Sequence, residues 1–119
     1  MTEAANIDRV RGYHRALNAV DLQAIAAFFA EHAEYRSQGI GALAGKPAIM
    51  AAMFSHFAEY PGQHAIDDKI EVINPDQVRS QWRLKATSKS TGLPYARSSS
   101  EIITFGAGGL IVRVDVEDV

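Results

Sequence analysis

Apolar residues recur at helical spacing along the first part of the chain. Between residues 6 and 20 they lie three and four positions apart, which predicts the buried stripe of an amphipathic helix. This stripe comprises Ile7, Val10, Tyr13, His14, Leu17 and Val20. A second, short helix is expected after Asp21, because its side-chain oxygen can accept a hydrogen bond from a free N–H group of a first turn. The buried side of that helix would comprise Leu22, Ile25, Phe28 and Phe29.

A third helix is expected to begin at Pro47, because a proline in the first turn of a helix costs no hydrogen bond. The dipeptide Pro61–Gly62 should end it. Its buried face would comprise Ile49, Met50, Met53, Phe57 and Tyr60.

The period of the pattern is two in a short segment before the third helix and again after residue 62. A short alternating segment at 33–37 predicts one strand, and residues 78–86 alternate between an apolar and a charged face. Turn signals at 74–76, 91–94 and 106–109 separate four long strands. Their connections are too short for helical crossovers, so the sheet should be mostly antiparallel. The 119 residues are therefore predicted to form one α+β domain, with three N-terminal helices packed on one face of a curved sheet.

Composition narrows the class of protein. The net charge is -2 and no dense Lys/Arg cluster occurs, so we expect no nucleic-acid partner. The absence of cysteine removes disulfides and thiolate metal sites. The N-terminus lacks the basic and apolar segments of a signal peptide, and no apolar run approaches the ~20 residues of a membrane span. We therefore expect a cytoplasmic protein that does not contact membranes.

Two strings carry a family resemblance that covers nearly the whole chain. The first, "YHRALNAVDLQAIAAFFAEHAEYRSQGIGALAGKPAI", combines a helix, an Asn/Asp turn, a short helix, a strand entry and a Gly-Lys-Pro-Ala-Ile helix start. The second, "SEIITFGAGGLIVRV", reads as a strand, a glycine turn and a strand. Together they resemble the SnoaL-like and ketosteroid-isomerase-like families, which share the nuclear transport factor 2-like fold. That fold hosts isomerases, cyclases, epoxide hydrolases, dehydratases and non-enzymes, so the resemblance specifies a fold more closely than an activity.

The resemblance implies a cone-shaped α+β barrel, in which the helices cover the concave face of the sheet and leave an apolar pocket open at one end. It also implies a homodimer formed through the outer face of the sheet. A charged row would then lie either near the subunit contact or on a solvated face. This row comprises Arg79, Arg83, Lys85, Arg113, Asp115 and Glu117.

The resemblance to ketosteroid isomerase also locates three catalytic positions. Tyr13 stands where the isomerase has its tyrosine, Glu101 where it has a carboxylic acid, and Ser37 where it has its carboxylate base. A tyrosine and a neutral carboxylic acid can both donate to a developing oxyanion, and burial beside Trp82 and Phe105 would favour the neutral form of Glu101. An unactivated serine cannot abstract a carbon-bound proton, so steroid isomerisation by the carboxylate route is not expected.

Other roles for these residues stay open. Tyr13 lies in an apolar stripe, and a buried tyrosine commonly has one hydrogen-bond partner, which could be Glu101. Glu101 could equally pair with Arg97, four positions earlier on the same strand face. His56 on the third helix, or His64 at the start of a strand, could replace the missing base. The four histidines lack zinc-ligand spacing, so we expect no metal and no other cofactor.

Two other branches of the family place their catalytic groups elsewhere. The polyketide cyclase branch keeps an aspartate on the last strand, where this chain has Val116, while Asp115 should point outward. The epoxide hydrolase branch requires an Asp-Arg-Asp set. Arg97 and Glu101 lie in the corresponding region, and the only second inward carboxylate that the sequence suggests is Asp68.

The segment "GIGALAG" contains Gly39, Gly41 and Gly45 between a strand and a helix. Its glycine spacing is one residue too long for a dinucleotide-binding turn, and Pro47 removes a helix N–H group. We therefore expect this segment to be a loop over the cone.

These observations predict a small-molecule, enzyme-like domain with an apolar pocket and no cofactor. It would be an acid/base isomerase, cyclase or dehydratase acting on a small hydrophobic carbonyl or hydroxylated compound. The alternative is a non-catalytic ligand-binding or dimerisation module with a relic pocket. The candidate catalytic residues are Tyr13, Glu101 and His56. The candidate ligand-binding residues are Ser37, Trp82, Phe57, Tyr35, Met53, Phe105 and Arg97.

Overall fold

Three α-helices and six strands form within residues 3–38 and 41–119, which the computed structural model describes. The helices are α1 (Glu3–Asn18), α2 (Leu22–Ala27) and α3 (Lys46–Glu59). The strands are β1 (Phe29–Ser37), β2 (Gly41–Ala44), β3 (His64–Asn74), β4 (Gln77–Thr87), β5 (Pro94–Phe105) and β6 (Ile111–Asp118). The three predicted helices and the four long strands are therefore present.

The six strands form one curved, open sheet in the order β2-β1-β6-β5-β4-β3. Neighbouring strands are antiparallel except β1 and β6, which run parallel. The helices pack against the sheet, and the core between them joins residues of both layers, such as Val10 and Ile49 from helices and Val78 and Ile103 from strands. The predicted fold class, with helices on the concave face of a mostly antiparallel sheet, is confirmed.

Two predicted elements differ from the structure. Phe29, expected on the buried side of the second helix, begins β1, because Phe28 already ends α2. The expected loop contains strand β2, which pairs with β1 between Ser37–Gly41 and Glu34–Ala44. This pairing satisfies backbone N–H and C=O groups that β1 would otherwise leave open at the edge of the sheet. The loop prediction also covered Gly39 and Ile40, which lie outside the described residues.

Two asparagines fix α1 against the sheet at both ends. The Asn6 side chain donates to the Pro75 carbonyl at 2.8 Å, in the turn between β3 and β4. The Asn18 amide donates to the Ala65 carbonyl at 2.9 Å and accepts from the Ala65 N–H at 2.8 Å, near the start of β3. The position of α1 along β3 is therefore set by hydrogen bonds as well as by apolar packing.

A β-bulge in β3 decides which acidic side chain faces α1. Asp67 pairs with Trp82 and Lys69 pairs with Gln81, so Asp68 is the extra residue. Asp67 therefore shares the inward face with Trp82, whereas Asp68 points outward and pairs with Arg83 at 2.9 Å. The expectation that Asp68 could supply an inward carboxylate was wrong, because the sequence pattern does not reveal the bulge.

Phe29 is the core residue that supports Tyr13. Its side chain is 1% exposed and its ring lies edge-on to the Tyr13 ring, with centroids 5.5 Å apart. Phe29→Ala should lower the free energy of unfolding by about 3–5 kcal/mol, because it removes a large apolar side chain and leaves a cavity. Urea denaturation measures this loss.

The matched control is Phe54→Ala on α3, since Phe54 is 63% exposed. This substitution should change the free energy of unfolding by no more than about 0.5 kcal/mol. Equal losses in the two variants would contradict the central position of Phe29.

Candidate functional site

A cavity of about 80 Å³ lies between the helices and the sheet. One water molecule needs roughly 10–15 Å³, so the hollow is not filled by the surrounding side chains. Apolar walls with a few convergent polar groups are typical of small-molecule sites. The lining residues are Tyr13, His14, Leu17, Tyr35, Met53, His56, Phe57, Gln63, Ala65, Trp82, Leu84, Arg97 and Glu101.

Most of the candidate catalytic and ligand-binding residues lie around this cavity. The exceptions are Ser37 and Phe105, which are not among its lining residues. The buried Ser37 hydroxyl accepts a hydrogen bond from Arg97 Nη2 at 3.0 Å, and Phe105 belongs to the apolar core. The structure brings together Tyr13, Glu101, His56, Tyr35, Met53, Phe57, Trp82 and Arg97.

His14 joins two carboxylates. Its Nε2–H donates to Glu101 Oε1, and its Nδ1–H donates to Asp67 Oδ1 at 2.7 Å. Burial by itself would lower the pKa of His14, but Glu101 and Asp67 outweigh it and raise the pKa to about 10. His14 is therefore an imidazolium at neutral pH, with both ring N–H groups occupied.

Glu101 keeps one oxygen for the cavity. The hydrogen bonds from His14 and from the Ser80 hydroxyl, the latter 2.8 Å long, both end on Oε1. No group in the described part of the chain bonds Oε2. In the described residues, every side-chain oxygen or nitrogen that is fully buried has a hydrogen-bond partner. Because Oε2 has none, it is not fully buried, and it is exposed to the cavity that Glu101 lines. Glu101 thus offers a hydrogen-bond acceptor to a bound molecule.

The two pairings considered for Glu101 from sequence are not those in the structure. Arg97 Nε donates to Asp118 instead of Glu101. The Tyr13 hydroxyl forms no hydrogen bond with any residue in the ranges 3–38 and 41–119, Glu101 included. Tyr13 therefore contributes an unused donor to the same cavity.

Tyr35 is a second phenol of this kind. Burial raises the pKa of both tyrosines, and the charge of Glu101 raises each further. The positive charge of Arg97 partly opposes the rise in the pKa of Tyr35. Both phenols therefore stay protonated across the physiological range and can donate hydrogen bonds to an oxygen of a ligand.

His56 lies on the α3 side of the cavity. Its Nε2–H donates to Gln63 Oε1 at 2.6 Å. Burial lowers the pKa of His56, partly offset by the bond to Gln63, so the ring is neutral at pH 7. His64, the other histidine considered as a base, is exposed at the start of β3 and does not line the cavity.

The last strand confirms the orientation expected for its acidic residue. Val116 is buried opposite Glu101, whereas Asp115 accepts a hydrogen bond from Arg113 Nε at 2.8 Å. Arg113 also contacts Glu34 at 3.1 Å. The polyketide cyclase position therefore carries no acid/base group into the cavity.

The described residues include no group of three or more His, Asp or Glu side chains placed to hold a metal ion. Between residues 3–38 and 41–119 we also find no helix with the length and apolar character that a bilayer crossing requires.

Sequence reasoning missed His14 and Asp67. A histidine inside an apolar stripe, next to the candidate Tyr13, was the available signal for the first, since a polar ring on a buried face needs partners. Asp67 had no such signal, because the bulge at Asp68 brings it to the inward face.

The open sheet and the covering helices define a domain of the cone-shaped α+β class, with an apolar cavity between the two layers. A profile described as SnoaL-like domain matches residues 10–114. The chain belongs to the SnoaL-like family. Among curated proteins, none matches the chain by sequence.

Solved structures support the fold. The chain is similar to SalBIII, an epoxide hydrolase/cyclase-like enzyme with a role in pyran ring formation in the polyether salinomycin. The TM-score is 0.87 at 17% sequence identity, and the match covers 98% of the present chain and 92% of SalBIII. It is also similar to RV0760c from Mycobacterium tuberculosis in complex with estradiol-17beta-hemisuccinate, with a TM-score of 0.80, 16% identity and 91% and 88% coverage. A protein with a ketosteroid isomerase-like fold from Catenulispora acidiphila, in complex with trimethylamine, has a TM-score of 0.80, 18% identity and 92% and 83% coverage. At these identities the likeness establishes the fold alone.

The pKa of His14 makes stability depend on pH. Folding raises this pKa from 6.5 to about 10, so in that interval the folded protein holds a proton that the unfolded chain releases. The stabilisation is complete below pH 6.5 and is lost as the pH rises through 10. The free energy of unfolding, measured in urea between pH 6.5 and 10, should therefore fall as the pH rises.

The variant His14→Gln should remove this slope. His56→Gln is the control. Folding lowers the pKa of His56, so its titration changes the free energy of unfolding only below about pH 6.5. A slope in His14→Gln as steep as in the parent protein would show that His14 does not carry the charge.

Proposed function

We propose that the protein is a cofactor-independent acid/base enzyme of the isomerase, cyclase or dehydratase type. Its substrate would be a small, mainly apolar compound with a carbonyl or hydroxyl group. The observation that carries this proposal is the arrangement at Glu101, whose Oε1 is held by His14 and Ser80 while Oε2 has no partner among the described residues. A carboxylate fixed in this way has one oxygen available for a substrate proton.

In this proposal Glu101 is the general base. The imidazolium of His14 donates to Oε1 of this carboxylate and balances its negative charge inside the protein. This role differs from the neutral donor suggested by the resemblance to ketosteroid isomerase, which had assumed apolar surroundings without a charged partner.

Tyr13 and Tyr35 would stabilise the oxygen of the substrate. Both line the cavity, and burial keeps both protonated, so they can donate to a developing oxyanion. Abstraction of a proton next to a carbonyl by Glu101 would place negative charge on that carbonyl oxygen. The phenols meet this charge without adding a net charge of their own to the site.

His56 is the second candidate for the base. It is neutral at pH 7 and lines the same cavity, which is the observation in its favour. Its Nε2–H is occupied by Gln63, so only Nδ1 could accept a proton.

Two of the fold relatives give context for the ligand. One is described as acting in pyran ring formation, and another is in complex with a steroid ester. These support a small, largely apolar substrate for the present cavity, whose lining includes the apolar side chains Leu17, Met53, Phe57, Trp82 and Leu84.

The proposal is tested by hydrogen exchange on a simple apolar ketone. Cyclohexanone in D₂O should lose α-hydrogen faster in the presence of the protein, as measured by proton NMR at pH 7.5. Glu101→Gln should slow the catalysed exchange by about 10²–10⁴-fold, since it removes the base. Tyr13→Phe should slow it by about 10²–10³-fold through loss of one oxyanion donor.

Glu71→Gln is the matched control, because Glu71 pairs with Arg79 and Lys69 away from the cavity. It should leave exchange unchanged. Exchange that survives in Glu101→Gln and stops in His56→Gln would transfer the role of base to His56. Cyclohexanone binding without any exchange would favour the non-catalytic ligand-binding module.

We also propose that the protein forms a homodimer through the outer face of the sheet. Ile66 is exposed on that face, among the ion pairs Arg83–Asp68 and Arg79–Glu71. Sedimentation velocity should give the mass of a dimer, and Ile66→Glu should shift it to a monomer. Leu93→Glu, in the exposed turn before β5, should leave the dimer intact. A monomeric parent protein would refute this assembly.

A further inference from the structure

Arg97 and Glu101 line the cavity from the same face of β5, four residues apart. At a rise of about 3.3 Å per residue, their Cα atoms lie roughly 13 Å apart. Ser99 lies between them and is fully buried. The cavity is therefore bordered by a cationic group toward the start of β5 and by the Glu101 carboxylate further along the strand.

The guanidinium of Arg97 has donors to spare. Its Nε donates to Asp118, and its Nη2 donates to the Ser37 hydroxyl at 3.0 Å. Nη1 bonds no group in the described part of the chain. Because a guanidinium carries five N–H groups, most of its donors remain available to a molecule in the cavity.

The charge of Arg97 acts on the inside of the cavity. Its side chain is 12% exposed, whereas that of Asp118 is 44% exposed, so water screens the carboxylate more than the guanidinium. The guanidinium lies 5.8 Å from the centroid of the Trp82 ring, which is itself part of the lining. The same positive charge contributes to the lowered pKa of His56, after burial. Asp118 therefore leaves part of the charge of Arg97 uncompensated on the cavity side.

We propose that the ligand of this cavity is a small apolar carboxylic acid, whose carboxylate binds Arg97 and whose apolar body lies between Trp82 and Phe57. The inference rests on the proposed function for the choice of site and deepens it by naming the substrate class. The carboxylate end of the ligand is held at Arg97, and its reacting carbonyl or hydroxyl group extends toward Tyr13 and Glu101. A guanidinium recognises a carboxylate through two parallel hydrogen bonds, which fixes the orientation of the ligand.

A neutral ligand would use this site less well. It would leave the N–H groups of a largely buried guanidinium without a negatively charged acceptor. The opposite orientation, with the carboxylate at Glu101, would place two carboxylates against each other. Charge therefore selects both the class of ligand and its direction in the cavity.

The test compares an acid with its neutral isostere. Isothermal titration calorimetry at pH 7.5 measures the binding of cyclohexanecarboxylate and of cyclohexanecarboxamide, which have nearly the same shape. The carboxylate should bind at least about tenfold more tightly than the amide. Arg97→Gln should remove most of this preference, and Arg79→Gln, on the outer face of β4, should retain it.

Two further variants keep the test decisive if Arg97→Gln does not fold, which circular dichroism detects. Asp118→Asn removes the anion that competes for Arg97, so it should tighten carboxylate binding and leave amide binding unchanged. Arg113→Gln should keep the preference, because Arg113 pairs with Glu34 and Asp115 and does not line the cavity. Equal binding of acid and amide, weaker carboxylate binding in Asp118→Asn, or a preference lost in Arg113→Gln would each overturn the assignment to Arg97.

This experiment measures binding alone, so it separates the ligand class from catalysis. Carboxylate binding that depends on Arg97, together with no exchange on cyclohexanone or on 4-oxocyclohexanecarboxylate, would retain the ligand class and reject the enzyme. Exchange without a preference for the carboxylate would retain the enzyme and reject the ligand class.

Discussion

The buried imidazolium of His14 is the interaction on which the site depends. A charge in a low-dielectric interior is tolerated only when it is paired, and His14 is paired on both sides, with Asp67 and with Glu101. These two contacts join α1 to β3 and β5. Loss of His14 would leave Glu101, whose side chain is 4% exposed, as an unpaired carboxylate inside the protein. The same pairing that holds the layers together therefore keeps a carboxylate in the cavity.

The two carboxylates occupy different environments. The Asp67 side chain is 27% exposed, and His14 and Asp67 also border a shallow depression on the outer surface with Arg11 and Arg15. His14 thus lies between the internal cavity and the outside of the molecule. Under the proposed function, the base acts from β5, while the position that holds the isomerase base on β1 has Ser37, which accepts a hydrogen bond from Arg97.

The fold was accessible from the sequence because periodicity and turn residues report local structure. The stripe containing Tyr13 and the inward parity of Trp82 and Glu101 led directly to cavity residues. The role of Asp67 was not accessible in this way. Strict alternation along β3 would place Ile66 and Asp68 on the same face as Ile70, which packs partly buried against the core. The bulge reverses this parity, so that Ile66 is exposed and Asp67 faces His14. The partners of Arg97 and Glu101 depend on contacts between distant strands and helices, which one sequence does not specify.

The charge state of His14 is open to direct measurement by nitrogen-15 NMR of the imidazole ring. At pH 8 both ring nitrogens of His14 should carry protons, and the ring should begin to titrate only as the pH approaches 10. A His14 ring with a single protonated nitrogen at pH 8, titrating near pH 6.5 as a free histidine does, would show that the site holds no buried imidazolium.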